Sequence, residues 1–288
     1  MKVAITGYNG FIGKKLCDLL ALHQIEILYI ERKWLYQSPE YLAQQIEGTD
    51  AIINLAGAPI NKRWNRKYKI TIYQSRVKTT RNLVQAISFC KVRPKHLISA
   101  SAIGIYDDIH QHDEHSAYFS ASYLGKVCKD WESAALYAQN FGLNVSILRL
   151  GIVLGAQGGM LKKVLPLFKF GLGSIIGNGM QNMSFIHIDD LISIIYKLLT
   201  NILESSLYNA TTPYPTTNKE FTKTLTKKLK RPQILFIPKF ILKLIYGEGA
   251  QVLTSGQYVL PAALLEKNFK FQYATIDEVL DAIIKNKT

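Results

Sequence analysis

Cysteine is scarce in this chain of 288 residues, where it occurs only at Cys17, Cys90 and Cys128. The number is odd, the positions are scattered and no two of them form a CxxC pair. The sequence therefore supports neither a disulfide framework nor a zinc site. We expect a reducing, cytoplasmic compartment and no bound metal.

A membrane span and a secretion signal are also missing. No apolar run reaches the ~18 residues that a spanning helix needs. Residues 1–13 run directly into a strand and a glycine turn, without an apolar signal region or a cleavage site. We therefore expect neither a membrane span nor secretion.

Acidic residues are outnumbered, at 21 against 35 lysines and arginines, so the net charge is +14. The lysines are scattered, and no aromatic–basic RNA motif or helix-turn-helix signature accompanies them. A lysine-rich solvated surface is the simplest interpretation, and attraction of a phosphate-bearing ligand comes next. Nonspecific binding to nucleic acid or to an anionic membrane is a further alternative, and we expect no specific nucleic-acid partner.

What the sequence does contain is a glycine turn at its start, MKVAITGYNGFIG. An apolar run at 2–6 stops at Gly7, Gly10 and Gly13 follow at intervals of three, and a helical pattern begins at Phe11. Gly7 permits a tight turn, Gly10 lets the backbone approach a pyrophosphate, and Gly13 lets the helix pack close to the strand. Free N–H groups and the helix dipole would face the anion. The pattern predicts a dinucleotide cradle, with a plain structural turn as the alternative.

Strand-like and helical runs alternate along the first two thirds of the chain. Strand candidates such as AIINLAG and HLISASAIG are apolar throughout, which is typical of parallel strands covered on both faces. The alternation predicts an α/β fold with a doubly wound parallel sheet. Strands are expected at 2–6, 25–30, 51–54, 96–101, 144–150 and 206–210, and helices at about 11–22, 38–47, 66–90, 122–140 and 188–202.

Beyond residue 150 the composition changes, because glycines and turn residues crowd 151–182 and a proline-marked link follows the last strand. We expect two units. One is a dinucleotide-binding domain made of 1–150 plus 183–212. The other is a smaller C-terminal lobe made of 151–182 plus 213–288, which would cover the ligand crevice.

The residue that reads the adenosine ribose should follow the second strand, about 20 residues past the glycines. Glu31 lies there and Arg32 follows it. An acid binds the 2′-hydroxyl of NAD, whereas an arginine clamps the 2′-phosphate of NADP. The residues leave this choice open, and an ion pair of Glu31 with Lys33 is the structural alternative.

The ends of the third and fourth strands supply further candidates. The third ends in NLAG, where the backbone of Leu55, Ala56 and Gly57 can lie against a cofactor. The fourth ends in SASAIGIY, which places Ser99 and Ser101 at the tip where ligands bind in open α/β sheets. The Ser101 hydroxyl can polarise a substrate oxygen, although serines at strand ends are also common caps.

Together these segments resemble the extended short-chain dehydrogenase/reductases. The resemblance is closest to an NAD-dependent epimerase/dehydratase subgroup with a small C-terminal domain, whose members are often called sugar-nucleotide epimerase or cell-division-inhibitor-like. It covers essentially the whole chain. The segments that carry it are GYNGFIG, INLAGAPINKRW, SASAIG, YQSRVKTT, VCKDWESAA, LRLGIVLGAQGGML, GNGMQNMSFIHIDDL, NATTPYPTTNKEF, IPKFILKLIYGE and LPAALLEKNFKF.

The resemblance implies a Rossmann domain that binds NADP more often than NAD, which favours Arg32 as the residue that reads the ribose. It also implies contacts of the cofactor with the cradle and the neighbouring strand ends. The expected cofactor-binding residues are Gly7, Tyr8, Gly10, Phe11, Ile12, Gly13, Glu31, Arg32, Leu55, Ala56, Gly57, Ser99, Leu150 and Gly151.

Active relatives carry Tyr-x-x-x-Lys on a helix, where the lysine lowers the tyrosine pKa so that the phenolate can act as a base. Anchoring on Glu132 puts Leu124 and Cys128 at those two positions. Tyr123 and Lys126 are the nearest substitute, a displaced pair three residues apart. The alternative is that Tyr123 packs and Lys126 is solvated.

Four further residues from the distinctive segments are candidates for substrate contact. Arg63 can pair with an anionic group and Trp64 can stack on a flat one, or they form a surface salt bridge and a core anchor. Gln181 lies in a glycine-rich loop. His187 in FIHIDDL belongs to a strand that runs into a helix cap, so a structural hydrogen bond is its alternative role.

Two functions compete. The first is a cytoplasmic NAD(P)-dependent oxidoreductase or epimerase that acts on a small or nucleotide-linked substrate, with Ser101 and Tyr123 as catalytic residues. The second is a cofactor-binding regulator or interaction protein with a degraded active site. By analogy with related folds, a homodimer would pair through the helices at 66–90 and 122–140.

Overall fold

The computed structural model describes residues 1–204 and 206–285. Its strands are β1 (Lys2–Thr6), β2 (Glu26–Ile30), β3 (Ala51–Asn54), β4 (His96–Ala102), β5 (Gln111–His112), β6 (Asn144–Leu150), β7 (Ile152–Leu154), β8 (Ser174–Ile176), β9 (Asn182–Met183), β10 (Phe185–His187), β11 (Leu207–Ala210), β12 (Thr216–Thr217), β13 (Leu235–Ile237) and β14 (Tyr258–Val259). Six of them form a central parallel sheet with the strand order β11-β6-β4-β3-β1-β2.

Helices cover both faces of this sheet. They are α1 (Phe11–Leu22), α2 (Pro39–Ile46), α3 (Arg66–Tyr73), α4 (Thr79–Phe89), α5 (Tyr123–Leu136), α6 (Gly159–Lys169), α7 (Ile188–Leu199), α8 (Asn218–Lys228), α9 (Lys239–Tyr246), α10 (Gln251–Thr254), α11 (Ala262–Glu266) and α12 (Ile276–Lys285). No helix in the described residues is long and apolar enough to cross a membrane.

Alternation along β1 explains the two layers. Val3 and Ile5 pack on one face with residues of α1 and α7, whereas Ala4 packs on the other with residues of α2 and α4. The doubly wound parallel sheet is therefore confirmed. Each of the six expected strands lies within one residue of its expected bounds.

The expected helix at 66–90 contains a feature that the pattern does not reveal. Between α3 and α4 the chain forms a π-helical turn, Gln74–Lys78. Such turns insert one residue into a helix and often occur at functional sites. Here the turn places Arg76 beside the end of β3.

A third core lies outside the central sheet. It joins short strands and helices on both sides of 183–212 in the sequence, and its buried residues include Leu161 of α6, Phe185 of β10, Leu225 of α8 and Leu280 of α12. Strand β7 pairs with β10, and β8 pairs with β13. These four strands have three residues each and carry too little periodicity to be predicted from sequence.

Candidate cofactor and active site

The strand order reverses between β1 and β3. In open α/β sheets of this order, ligands bind outside the carboxyl ends of the strands at the reversal. The glycine turn follows β1 and the NLAG segment follows β3, so both expected walls of the site meet there. A Cβ atom on Gly7 would lie 2.6 Å from the Leu55 carbonyl oxygen, which shows how closely the two loops approach.

The glycine turn has the backbone that a pyrophosphate cradle needs. Gly7 has a φ of +68°, and its carbonyl oxygen accepts from the Gly10 N–H at 3.0 Å. A Cβ atom on Gly13 would lie 2.4 Å from the Gly7 carbonyl oxygen, so only glycine lets α1 pack against the turn. Gly10 caps α1 without a side-chain hydrogen bond, and no acidic residue occupies the first helical turn. The positive end of the helix dipole therefore has no acid beside it, and an anion fits there.

The NLAG segment forms the opposite wall of the site, and Thr6 at the end of β1 binds it through hydrogen bonds. Its hydroxyl donates to Asn54 Oδ1 at 2.8 Å and accepts the N–H groups of Leu55 and Ala56 at 3.0 and 3.1 Å. Asn54 Nδ2 in turn donates to Thr80 and to Ser99, at 2.8 and 3.2 Å. This buried network fixes the backbone of the NLAG segment. Ser99 is fully buried within it, and its predicted cofactor contact stays a prediction.

Arg76 lies directly over Gly57. A Cβ atom on Gly57 would lie 3.1 Å from the guanidinium carbon of Arg76. The guanidinium donates to the Ala58 carbonyl at 3.0 Å, and it lies 5.5 Å from the centre of the Trp131 ring. Burial lowers the pKa of Arg76. The π-helical turn thus brings a cation to the edge of the site.

Ser101 sits at the end of β4, where its hydroxyl donates to Glu132 at 2.6 Å. Glu132 on α5 also binds Arg149 of β6 through two contacts of 2.8 Å. Arg149 donates to the Tyr106 hydroxyl at 2.6 Å. Burial alone would lower the pKa of Arg149, but its hydrogen bonds and the charge of Glu132 raise it. The Ser101 proton is therefore directed toward a buried ion pair.

Leu124 and Cys128, the residues at the positions expected for the tyrosine and the lysine, both lie on α5. Cys128 is buried, and burial raises the pKa of its thiol to about 12, so it is not a thiolate at neutral pH. The Tyr123 hydroxyl donates to the carbonyl oxygen of Lys69, and burial raises its pKa. Lys126 is exposed. These are the contacts of a packing tyrosine and a solvated lysine, and a catalytic role for Tyr123 stays a prediction.

At the end of β2, Glu31 forms an ion pair with Lys33 at 2.8 Å and Arg32 is exposed. The ring of Tyr8, which follows Gly7, lies 4.9 Å from that of Tyr29 on β2. The ion pair of Glu31 with Lys33, which was the structural alternative for Glu31, is thus present. Arg32 is exposed to solvent at the end of β2.

The comparisons with known proteins agree with this geometry. A model of the NAD dependent epimerase/dehydratase family matches residues 3–211, and a model of a domain of unknown function, DUF1731, matches residues 237–283. The chain belongs to the NAD dependent epimerase/dehydratase family. The resemblance expected from the sequence is therefore confirmed.

Relatives in this family match the chain over nearly its whole length. The chloroplastic epimerase family protein SDR39U1 homolog of Arabidopsis thaliana is 36% identical, over 99% of this chain and 87% of the relative. Epimerase family protein YfhF of Bacillus subtilis is 32% identical, over 100% and 99%. A crystal structure of human epimerase family protein SDR39U1 (isoform 2) with NADPH has a TM-score of 0.91 at 29% identity, over 99% and 100%.

Four residues were expected to contact substrate. Arg63 and Trp64 lie in the loop between β3 and α3, Gln181 directly precedes β9, and His187 ends β10, just before α7. The Trp64 indole is buried and donates to the Ile60 carbonyl at 2.9 Å, and Arg63 donates to the Leu244 carbonyl at 3.0 Å. Trp64 is therefore a buried core residue, as the structural alternative expected. Arg63 forms a hydrogen bond to the α9 backbone in place of the surface salt bridge that was its alternative.

Gln181 and His187 are also engaged within the fold. Gln181 Nε2 donates to the carbonyls of Ile176 and Leu253, both at 3.2 Å, while its buried Oε1 has no partner among the described residues. The His187 ring caps α7 by accepting the Asp189 N–H at 3.2 Å. The expected helix cap is confirmed, and the substrate contacts stay predictions.

Leu150 ends β6 and Gly151 follows it, beside this region. A Cβ atom on Gly151 would lie 2.7 Å from the Ser184 carbonyl oxygen, so glycine permits the strand to pass the β9–β10 segment. The ring of Phe11 fills space left by Gly155 and Gly158, where a Cβ would lie 2.7 and 2.1 Å from it. The glycine-rich loop after β7 therefore packs over the start of α1.

The sequence analysis predicts neither the bond from Ser101 to Glu132 nor the ion pair of Glu132 with Arg149. Arg149 lies between Leu148 and Leu150 near the end of an expected central strand, and a buried charge requires a partner. That signal could have found the ion pair. Nothing in the residue pattern indicates the π-helical turn.

Proposed function

We propose that this chain binds NADP(H) and transfers a hydride to or from a small or nucleotide-linked substrate, as an epimerase-like oxidoreductase. The observation that carries the proposal is the cradle of Gly7, Gly10 and Gly13 at an uncapped helix end, placed at the reversal of strand order. The human relative crystallised with NADPH supports the choice of cofactor.

Different residues of the chain would bind different parts of the dinucleotide. The N–H groups at the start of α1, with Tyr8, Phe11 and Ile12 around them, would bind the pyrophosphate. Arg32 would bind a 2′-phosphate, and the backbone of Leu55, Ala56 and Gly57 would border the cofactor. Leu150 and Gly151 would border the nicotinamide. The bound cofactor supplies the hydride-accepting or hydride-donating ring.

The polar groups near the reaction site are less suited to general acid–base work. Ser101 can reach a substrate oxygen only if its hydroxyl accepts from the substrate or releases Glu132, because its proton is already donated. Arg76 offers a cation at the edge of the site for an anionic substrate group. This arrangement suits a substrate whose reacting oxygen is an alcohol that donates to Ser101.

The test of the proposed chemistry is turnover by the pure protein in both directions, with NADP and a panel of alcohols and sugar nucleotides, and with NADPH and the corresponding carbonyl compounds. We expect reduction of NADP by at least one alcohol or sugar nucleotide, at a lower rate in Ser101→Ala. No turnover in either direction by protein that binds the cofactor would reject a conventional oxidoreductase.

A second candidate function is supported by the same region. Tyr123 packs, Cys128 is a neutral thiol, and the Ser101 proton is held by Glu132, whereas the cradle is intact. These observations favour a cofactor-dependent interaction protein. The test is partner binding with NADPH, with NADP and without cofactor, and identical affinity in all three would exclude sensing.

We also propose that the division into a dinucleotide-binding domain (1–150 plus 183–212) and a smaller lobe (151–182 plus 213–288) is functional. The separate core around Leu161, Leu225 and Leu280 supports it. Three cysteines without disulfides support a cytoplasmic location. A homodimer through α3, α4 and α5 remains our proposal for the oligomeric state, and light scattering in solution tests it.

A further inference from the structure

Helix α9 leaves most of its apolar side chains in water. Six of its eight residues are apolar or aromatic, yet Leu242 is its one buried residue. Phe240 is 69% exposed and Leu244 is 73% exposed. A helix that packs on a core buries its apolar stripe, so this helix has a face without a partner among the described residues.

The exposed apolar surface continues into the chain before α9. In β13 and just before it, Phe236 and Ile234 are largely exposed. Strand β13 pairs in parallel with β8, in the register Leu235 to Ser174. Because the two strands are parallel, the exposed residues Phe170 and Leu172, which precede β8, lead into the pair from the same end as Ile234, which precedes β13.

We call these six residues the lobe surface: Phe170, Leu172, Ile234, Phe236, Phe240 and Leu244. The segment after β8 lies close to α9. A Cβ atom on Gly177, which follows β8, would lie 2.9 Å from the side chain of Lys239 on α9. Large exposed apolar patches mark sites that contact another protein or a membrane.

The chain segments that carry the lobe surface are mostly basic, although Lys228 forms ion pairs with Asp277 and Asp281. Residues 221–247 contain seven basic residues and no acidic one. Residues 157–181 contain three lysines and no acidic residue. Exposed Lys239 and Lys243 flank the apolar residues of α9, and exposed Lys169 precedes Phe170. The basic residues of 221–247 are Lys223, Lys227, Lys228, Lys230, Arg231, Lys239 and Lys243.

We propose that the lobe surface docks on an anionic lipid bilayer. Phenylalanine, leucine and isoleucine side chains insert at the boundary between headgroups and acyl chains, and surrounding lysines bind anionic headgroups. A second copy of the chain is a poorer occupant, because pairing two such surfaces would bring lysines of like charge together. The occupant is therefore defined by charge complementarity.

Docking would set the bilayer beside the loop that follows β3. The backbone N–H of Trp64 donates to the Tyr246 carbonyl at 3.1 Å, and the Arg63 side chain donates to the Leu244 carbonyl. These bonds tie the carboxyl end of α9 to the loop. The docking itself requires no cofactor, so it is independent of the proposed hydride transfer.

The test is flotation of the full chain with vesicles of phosphatidylcholine, and with vesicles of equal parts phosphatidylcholine and phosphatidylglycerol. We expect binding to the anionic vesicles only, weakened by salt. Phe240→Ser combined with Leu244→Ser should weaken binding at least ~30-fold, because two large apolar side chains no longer leave water. Lys239→Gln with Lys243→Gln should weaken it as well.

The matched control is Leu22→Ser combined with Ile109→Ser, which removes two equally exposed apolar side chains elsewhere. It should bind vesicles as the parent chain does. The proposal is overturned if the parent chain floats with neither vesicle, or if the Phe240/Leu244 variant floats as well as the control. It is also overturned if that variant converts a lipid-free dimer into a monomer, since a second copy would then occupy the surface.

Discussion

The Ser101 hydroxyl donates to the Glu132 carboxylate at 2.6 Å, and the same carboxylate binds the buried guanidinium of Arg149. A catalytic Ser101 would need its hydroxyl free to polarise a substrate oxygen. Here it is one member of a buried polar chain that joins β4, α5 and β6. The same carboxylate therefore neutralises a buried cation and occupies the hydroxyl of the serine expected to contact substrate.

The first prediction separates the two partners of Glu132. Glu132→Gln leaves Arg149 as a buried cation without its counter-ion, which should cost about 3–5 kcal/mol of unfolding free energy. Ser101→Ala removes one neutral donor and should cost about 1 kcal/mol. Urea denaturation of both variants measures the difference. Equal losses would show that the ion pair does not hold the site together.

The second prediction concerns the choice between NADP and NAD. Arg32→Ala removes the exposed guanidinium beside the cradle and should weaken NADPH binding roughly tenfold or more, since a charge-assisted contact is worth about 1.5–3 kcal/mol. Binding of NADH should not change. Lys33→Ala, which removes the same charge one residue later, is the control. If both variants lose NADPH affinity equally, general charge and not Arg32 decides the preference.

The third prediction is a pH effect on stability through Asp190. This buried carboxylate accepts the N–H groups of Gln272 and Tyr273 at 2.7 and 3.1 Å. Burial outweighs those bonds and raises its pKa to about 6. An unfolded aspartate titrates near pH ~3.9. Between these values the folded chain binds the proton more tightly, so its contribution to stability is greatest below about pH 4 and falls as pH rises through 6.

Asp190→Asn removes this titration. From pH 4 to pH 7, the unfolding free energy of the parent chain should fall relative to that of the variant by a few kcal/mol. Taking the difference cancels the opposite effect of buried His96, whose pKa is lowered by burial. A difference that stays constant across this range would contradict the raised pKa.

Much of the fold follows from local sequence signals. The glycine turn, the apolar strands and the cap at His187 are each set by residues next to one another, and all six expected strands are present. The bonds of Ser101 and Arg63 depend on distant partners, Glu132 and Leu244, that a local pattern does not reveal. The exposed apolar face of α9 was equally hidden, because an apolar helix is expected to be buried.

The fourth prediction concerns the reactivity of the Cys128 thiol, which occupies the position expected for the lysine on α5. Burial raises the pKa of the Cys128 thiol to about 12 and that of Cys90 to about 11. At pH 8 neither should react with iodoacetamide in the folded chain, whereas the partly exposed Cys17 should react first. Peptide mass spectrometry identifies the labelled site. Rapid labelling of Cys128 would show that α5 opens in solution.

The central claim is that the glycine turn holds a dinucleotide, and calorimetric titration of NADPH into the parent chain and Gly10→Ala tests it most directly. Gly10 has a φ of −75° and a ψ of 176°, which alanine adopts, and its Cβ would meet only the Gly7 carbonyl oxygen at 3.1 Å. We predict that the parent chain binds NADPH and that the variant keeps its melting temperature but loses at least roughly tenfold in affinity. A parent chain that does not bind NADPH, or a variant that binds it equally well, would contradict the account.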